Sequence, residues 1–206
     1  ASANGSLPTS LAGTTAKLKD SAGVERLSPL FFVSPTQVNY QIPVGTAPGP
    51  ALVTITNSNG QQSQSAVQIA SVAPGLFTAN ATGRGVAAAS ILRIKAGGAQ
   101  TYESVGVFDP TQNQFIAQPI DLGPATDQVF LILFGGGIRF RSDAANVKVK
   151  IGGVNAAVSF AGSQGGFVGL DQVNAQVPRS LIGRGEVDVA LTVDGKVANV
   201  VKVAIK

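Results

Sequence analysis

Along most of this chain apolar and polar residues alternate, the period of two that puts every second side chain on the same face of a strand. The pattern is cleanest near the end. Val187, Val189, Leu191 and Val193 share one face, Asp194-Gly195 supplies a two-residue hairpin turn, and Val201, Val203 and Ile205 return. Glu186, Asp188, Lys202 and Lys206 fall on the partner faces. Upstream, Gln128 to Phe134 is a nearly continuous apolar strand followed by Gly135-Gly136-Gly137, and Val147 to Ile151 and Ala156 to Ala161 are further strands. Near the start, Thr14 to Lys19 opens the series with Ala16 and Leu18 on its apolar side. Leu30 to Val33, bounded by Pro29 and Pro35, reads as a buried strand. Val53 and Ile55 point one way in the next strand, Asn59-Gly60 turns the chain, and Val67 with Ile69 closes the unit.

One stretch occurs twice. Gln37-Val38-Asn39-Tyr40-Gln41-Ile42-Pro43 returns 135 residues later as Gln172-Val173-Asn174-Ala175-Gln176-Val177-Pro178. In the first copy parity puts Val38, Tyr40 and Ile42 on one face and Gln37, Asn39 and Gln41 on the other. Because strands, Pro stops and Gly turns recur in the same order around both copies, the sequence predicts an internal duplication. Strand spacing with Gly and Pro turns indicates sandwiches, and no stretch holds a helical period. The expected organisation is a first unit over 1–72, a linker and meander over 73–126, and a second unit over 127–206. The meander is read as Gly85 to Lys95, Thr101 to Phe108 and Gln114 to Leu122, with turns at Gly97-Gly98 and Asp109-Pro110; Ala87-Ala88-Ala89 would also suit a helix.

Composition narrows the function classes. The chain has no Cys, His, Met or Trp, which removes Ser-His-Asp triads, Cys-His dyads and the usual zinc sites, as well as disulfides. Charged residues make up only 13% of the chain. The net charge of +4 is not gathered with aromatics as a nucleic-acid reader would gather it. Lys148 and Lys150, alternating with Val147, Val149 and Ile151, read as the solvated face of a strand. No apolar run is long enough for a membrane helix, and Ala1 to Gly5 lacks a signal pattern, so the expectation is a soluble chain already separated from any targeting segment. An oxidation-resistant, uncharged polar surface suits an extracellular or cell-surface location.

Four further segments carry a resemblance. Ser34-Pro35-Thr36-Gln37-Val38-Asn39, Ala73-Pro74-Gly75-Leu76-Phe77-Thr78, Leu131-Ile132-Leu133-Phe134-Gly135 and Gly169-Leu170-Asp171-Gln172-Val173-Asn174 together resemble the Solibacter-type uncharacterised C-terminal domain family, tails of large secreted or surface proteins of soil bacteria. Gly135-Gly136-Gly137 stands where that family more usually has Gly-Thr-Gly. The resemblance implies two immunoglobulin-like sandwich units of the IPT/TIG type joined by a small meander, and a non-catalytic role.

Residues that suggest chemistry have plainer readings beside them. Gly83-Arg84-Gly85-Val86-Ala87-Ala88 matches a dinucleotide fingerprint in letters, but it lacks the preceding strand and following helix, and reads as an interdomain turn. Asp171 and Asp194 are the best calcium candidates, without the spacing of a calcium loop. Asp109, Asp121, Asp143, Asp171 and Asp194 all fall in turns or strand edges, a poor basis for a glycosidase pair. Asn4-Gly5-Ser6 and Asn80-Ala81-Thr82 fit the glycosylation acceptor pattern. Gln37, Asn39, Gln41, Gln172, Asn174 and Gln176 form a polar contact stripe that either binds a sugar or partner or fixes register against neighbouring backbone. No catalytic residue, cofactor or metal is predicted.

The expected function is therefore a structural or adhesive module; the alternative is a carbohydrate-binding module, for which Tyr40 and Tyr102 are the only Tyr or Trp residues. One further expectation comes from a gap in the repeat. The second unit opens with Val129 to Phe134, and the 135-residue offset puts that strand's counterpart before residue 1. The polar Ala1 to Ser6 cannot replace it, so the first unit is expected to lack its opening strand. The missing strand is expected to be supplied either by self-association with a neighbouring copy, which would generate a head-to-tail filament, or by the chain's own meander. Possible contact with a surface glycan, no nucleic acid and no membrane insertion complete the expectations, and a chain cut short at its N-terminus would leave the same gap.

Overall fold

The structure is a computed structural model that describes residues 7–206. Ala1 to Ser6, with the Asn4-Gly5-Ser6 acceptor pattern, lie outside the described residues. The fold is all-β. Among the described residues there is no α-helix, and Ala144–Asn146 and Arg179–Leu181 form single 3-10 turns. The chain divides into two compact units, one running to Ser71 and taking in Gly166–Gly169, the other comprising Val72–Gly165 and Leu170–Lys206.

The first unit holds β1 (Ser10–Leu11), β2 (Thr14–Lys19), β3 (Glu25–Leu27), β4 (Leu30–Ser34), β5 (Gln37–Tyr40), β6 (Gly49–Thr56) and β7 (Gln62–Ile69). One sheet runs β1-β2-β6-β7 with β3 on β2, and β4 and β5 form a separate hairpin. Leu18, Ala51 and Val53 make its buried cluster, with Tyr40, Ile55, Val67 and Ile69 packed on it, so the hairpin contributes its tyrosine to the core. The strand over Leu30 to Val33 is not the buried strand expected from its composition. Only Leu30 is buried and Phe32 is 47% exposed, because the pair has one covered face. Ile42, expected inside, is 42% exposed.

The second unit holds β8 (Gly75–Leu76), β9 (Ala89–Ile94), β10 (Gln100–Ser104), β11 (Gly106–Asp109), β12 (Gln114–Ala117), β13 (Pro119–Ile120), β14 (Gln128–Gly136), β15 (Val147–Ile151), β16 (Val154–Ala156), β17 (Val158–Ser163), β18 (Asp171–Gln176), β19 (Gly185–Val193), β20 (Lys196–Val197) and β21 (Val201–Ile205). One sheet runs β10-β9-β14-β18-β17 with β8 on β14. The other runs β13-β21-β19-β15-β16 with β20 on β19. Val129, Leu131, Leu133, Val173 and Ala175 of the first meet Val149, Ile151, Val189, Leu191 and Val203 of the second in one continuous core, the arrangement of a β-sandwich.

Several expectations change here. Residues 73–126 do not stand apart as a linker and meander: β9 pairs with β14, and β13 lies parallel to β21, so their ladder bonds close only with the last third of the chain. Thr101 to Phe108 splits at buried Val105 into β10 and β11, and β11 pairs with β12 in a hairpin of its own. Ala156 to Ala161 splits at Ala157, where the chain leaves β15 for β18 and so changes sheets. Ala87 to Ala89 is not helical; Ala87 N–H donates to Lys202 O at 3.0 Å, and the strand begins at Ala89. The apolar run does not stop at its glycines. A Cβ on Gly135 would collide with the Gly75 carbonyl and one on Gly137 with that of Ala73, so glycine lets residues 73–76 cross the end of β14.

Candidate functional site

The repeated stretch builds the same hairpin in both units. In the first, β4 pairs with β5 as Leu30↔Tyr40, Phe32↔Asn39, Val33↔Val38 and Ser34↔Gln37, with a bulge between Leu30 and Phe32. In the second, β17 pairs with β18 as Val158↔Ala175, Phe160↔Asn174, Ala161↔Val173 and Gly162↔Gln172, with a bulge between Val158 and Phe160. The two registers superpose residue for residue. Bonds beyond the ladder repeat as well: Gln41 N–H donates to Pro29 O at 2.8 Å, and Gln176 N–H to Ala157 O at 2.8 Å. Gln37 Nε2 donates to Asn39 Oδ1 at 2.7 Å, and Gln172 Nε2 to Asn174 Oδ1 at 2.8 Å.

All six stripe residues therefore fall on two equivalent hairpin faces. Gln37, Asn39 and Gln176 are exposed, while Gln41, Gln172 and Asn174 are half-buried. Within each hairpin the glutamine amide orients the asparagine two residues on. Sequence parity found the amides but missed their cross-strand neighbours. Phe32 stands opposite Asn39 and Phe160 opposite Asn174, both phenylalanines exposed. No sequence signal marked them, since Phe32 precedes Gln37 by five residues and Phe160 precedes Gln172 by twelve.

The free side of the hairpin differs sharply between the units. Gln41 turns its N–H toward β4, so by strand alternation the backbone groups of Val38, Tyr40 and Ile42 turn away from it. In the second unit the equivalents Val173, Ala175 and Val177 face β14: Val173 pairs with Leu133, Ala175 with Leu131, and Val177 N–H donates to Val129 O at 2.8 Å. Among the described residues β5 pairs with β4 alone. Burial follows the pairing. Val173 and Ala175 are wholly buried and Val177 nearly so, whereas Val38 and Tyr40 are only half-buried. Burial also raises the Tyr40 phenol above the usual tyrosine value. No charge guards this edge: from Leu27 to Gly83 the chain carries no Asp, Glu, Lys or Arg. Charged residues are among the devices that normally keep an edge strand from pairing.

The acid candidates are committed elsewhere. Asp171 is buried and accepts from Ile138 N–H at 2.8 Å and Arg139 Nε at 2.6 Å, so a guanidinium already occupies the position a cation would take. Asp194 accepts from Ser142 N–H at 2.8 Å and Ser142 Oγ at 2.7 Å, bonds that hold its carboxyl below the usual range. Asp109 caps its own turn through Thr111, and Asp121 accepts from Gly123 N–H and Lys206 Nζ. No group of three or more acids that could hold a metal ion occurs among the described residues. The Gly83 to Ala88 segment lies inside the second unit, where Asn199 Nδ2 donates to Gly83 O at 2.8 Å. It is followed by a strand and forms no phosphate-binding helix start. No helix is long and apolar enough to cross a membrane among the described residues. No protein-family model, curated protein or solved structure matches the chain.

Proposed function

We propose that this chain is a non-catalytic structural or adhesive module of the cell surface or extracellular space, built from two duplicated immunoglobulin-like units, and that it joins its neighbours by accepting a strand along β5. One observation carries the reading: the same hairpin, with the same register, bulge and Gln-to-Asn bond, has a partner strand along its free side in one unit and none among the described residues in the other. An edge of unpaired backbone beside half-buried apolar side chains is the substrate of strand addition. When the donor is a second copy the contact is head-to-tail, and repetition gives a filament. The resemblance to the Solibacter-type tails points to the same kind of role.

Sedimentation velocity from dilute to concentrated solution, followed in parallel by amide exchange, tests it. Mass should grow with concentration while the Val38, Tyr40 and Ile42 amides become protected. A single monomeric mass at every concentration refutes the polymer. Slow exchange of those three amides in dilute monomer refutes the open edge itself.

A further inference from the structure

Among the described residues, the edges of the three large sheets are blunted in all cases but one. β1, β8, β13 and β20 are two residues long, β16 is three, and β13 begins with Pro119. β3 carries Glu25 and Arg26, β10 carries Glu103, and β17 is interrupted by a bulge. Shortness, charge, proline and bulges keep an edge from pairing with another chain. β7 has none of them. It runs Gln62-Ser63-Gln64-Ser65-Ala66-Val67-Gln68-Ile69, pairs with β6 along its whole length without a register shift, and pairs with nothing else among the described residues. Only Val67 and Ile69 are half-buried; the rest of the strand is exposed. Its free side is fixed by the adjoining turn. Asn57 N–H donates to Gln61 O at 3.0 Å, one step beyond the strand in the same register. By alternation the backbone groups of Ser63, Ser65, Val67 and Ile69 turn toward β6, and those of Gln62, Gln64, Ala66 and Gln68 turn outward.

We infer that β7 pairs with β7 of a second copy of this chain, antiparallel, across a two-fold axis at Ala66. The strand is complementary to itself in that register. On the face away from the core it reads Gln64, Ala66, Gln68, so the axis sets each Gln64 opposite the Gln68 of the second copy. A side-chain amide both donates and accepts, so two glutamines satisfy one another. Thr54 Oγ1 already takes one N–H of Gln64 at 3.2 Å, which fixes that side chain and leaves its carbonyl to accept. On the inner face Ser65 meets Val67 and Ser63 meets Ile69, and no like charges oppose one another, because the strand has none. The edge offers a foreign strand no charge to select it; the symmetric row of amides is the selectivity it does carry, and that row matches itself. Seven residues pair, closing about six ladder bonds. One strand pair is a small interface, so the dimer is weak and reversible. A two-fold contact closes at two subunits, which separates it from the head-to-tail contact along β5 and joins assembled chains side by side.

The chain lacks cysteine, so a disulfide scan of the full chain reads the contact directly. Ala66→Cys puts two thiols opposite one another on the axis, at a Cα separation a disulfide spans. Gln62→Cys, equally exposed, puts them about 27 Å apart. Under mild oxidation Ala66→Cys should form a covalent dimer at least about tenfold faster than Gln62→Cys. In the wild type the Gln64 and Gln68 amides should gain protection from exchange as concentration rises. Ala66→Lys, which sets like charges opposite one another, should move that gain to about tenfold higher concentration with an unchanged melting temperature. The Val38, Tyr40 and Ile42 amides should respond to concentration in Ala66→Lys as in the wild type, which keeps the test separate from that of β5. The inference is overturned by equal cross-linking rates at the two positions, by Ala66→Lys behaving like the wild type, or by slow exchange of the Gln64 and Gln68 amides in dilute monomer. It is equally overturned if Ala66→Lys removes the protection while Ala66→Cys fails to cross-link, which would make the occupant of β7 something other than a second β7.

Discussion

The two units use one hairpin in two ways, and the difference lies in what surrounds it. In the second unit the hairpin is flanked by β14, and its inward residues join a continuous core that also draws on β9, β13, β19 and β21. In the first, of the equivalent residues only Tyr40 packs against Leu18, Ala51 and Val53, a cluster of three buried apolar side chains. Hydrophobic stabilisation scales with apolar area removed from water, so the second unit is expected to be much the more stable. The comparison teaches that a repeated segment fixes local geometry, namely register, bulge and side-chain bond. It does not fix burial, which depends on strands contributed from elsewhere.

The largest effect that could break this comparison is a core truncation in each unit. Leu191→Ala should cost roughly 2–5 kcal/mol and lower the upper of two calorimetric transitions; the same change at Leu18 should abolish the lower one, because the small cluster cannot absorb it. A single transition that both variants shift equally would show that the units do not differ in this way.

An intermediate effect comes from acid. Asp20 is buried in the first unit and accepts from Ala47, Val24 and Ala22 N–H and from Arg26 Nη1. The Ala47 amide, aided by the other three donors and opposed by burial, holds its carboxyl at about 2 against an ordinary 3.8. A carboxyl depressed on folding stabilises the fold above its unfolded value and loses that contribution as pH falls toward the folded one. The lower transition should therefore drop between about pH 4 and pH 2. Asp20→Asn should weaken the unit at neutral pH and flatten that dependence, as melting scans across the range would record.

The smallest effect should be the same in both units. Gly60, in the turn between β6 and β7, and Gly195, in the tighter turn between β19 and β20, both hold φ of +77°, with no atom within 4 Å of an added Cβ. Alanine at either position pays only the left-handed backbone strain, about 1–2 kcal/mol. Equal losses by denaturant titration would show that the units share turn energetics while differing in core; unequal ones would mean that the turns are strained differently.

Much of the strand order was legible because period two and turn chemistry are local. The Asp194-Gly195 turn and the alternating face from Val187 to Val193 needed no tertiary information, nor did Ala16 with Leu18. Ile42 and Phe32 were misplaced for the opposite reason. Parity assigns a face but cannot say whether anything covers it. Gln128 to Phe134 read simply as apolar, because inward Leu131 and outward Phe130 carry the same signal. The neighbours of β14 were not legible either, since β9 and β18 reach it from opposite directions along the chain. The Asp171 and Arg139 pair, 32 residues apart, leaves no pattern in the sequence.

The long-range closure of the second unit bears on how the chain is made. During synthesis β2 to β7 emerge as an uninterrupted run and can fold together, whereas Leu76 N–H waits for Asn199 Oδ1, its partner 123 residues later. β14 leaves the ribosome before β18 does. For that interval the nascent chain holds an apolar strand that β9 can pair on one side but whose antiparallel partner on the other side, β18, does not yet exist, while β5, of matching register and free of charge, is already in place. The repeat thus sets a kinetic competition between two edges for one strand, and a pause before Asp171 is where swapped and native pairings diverge.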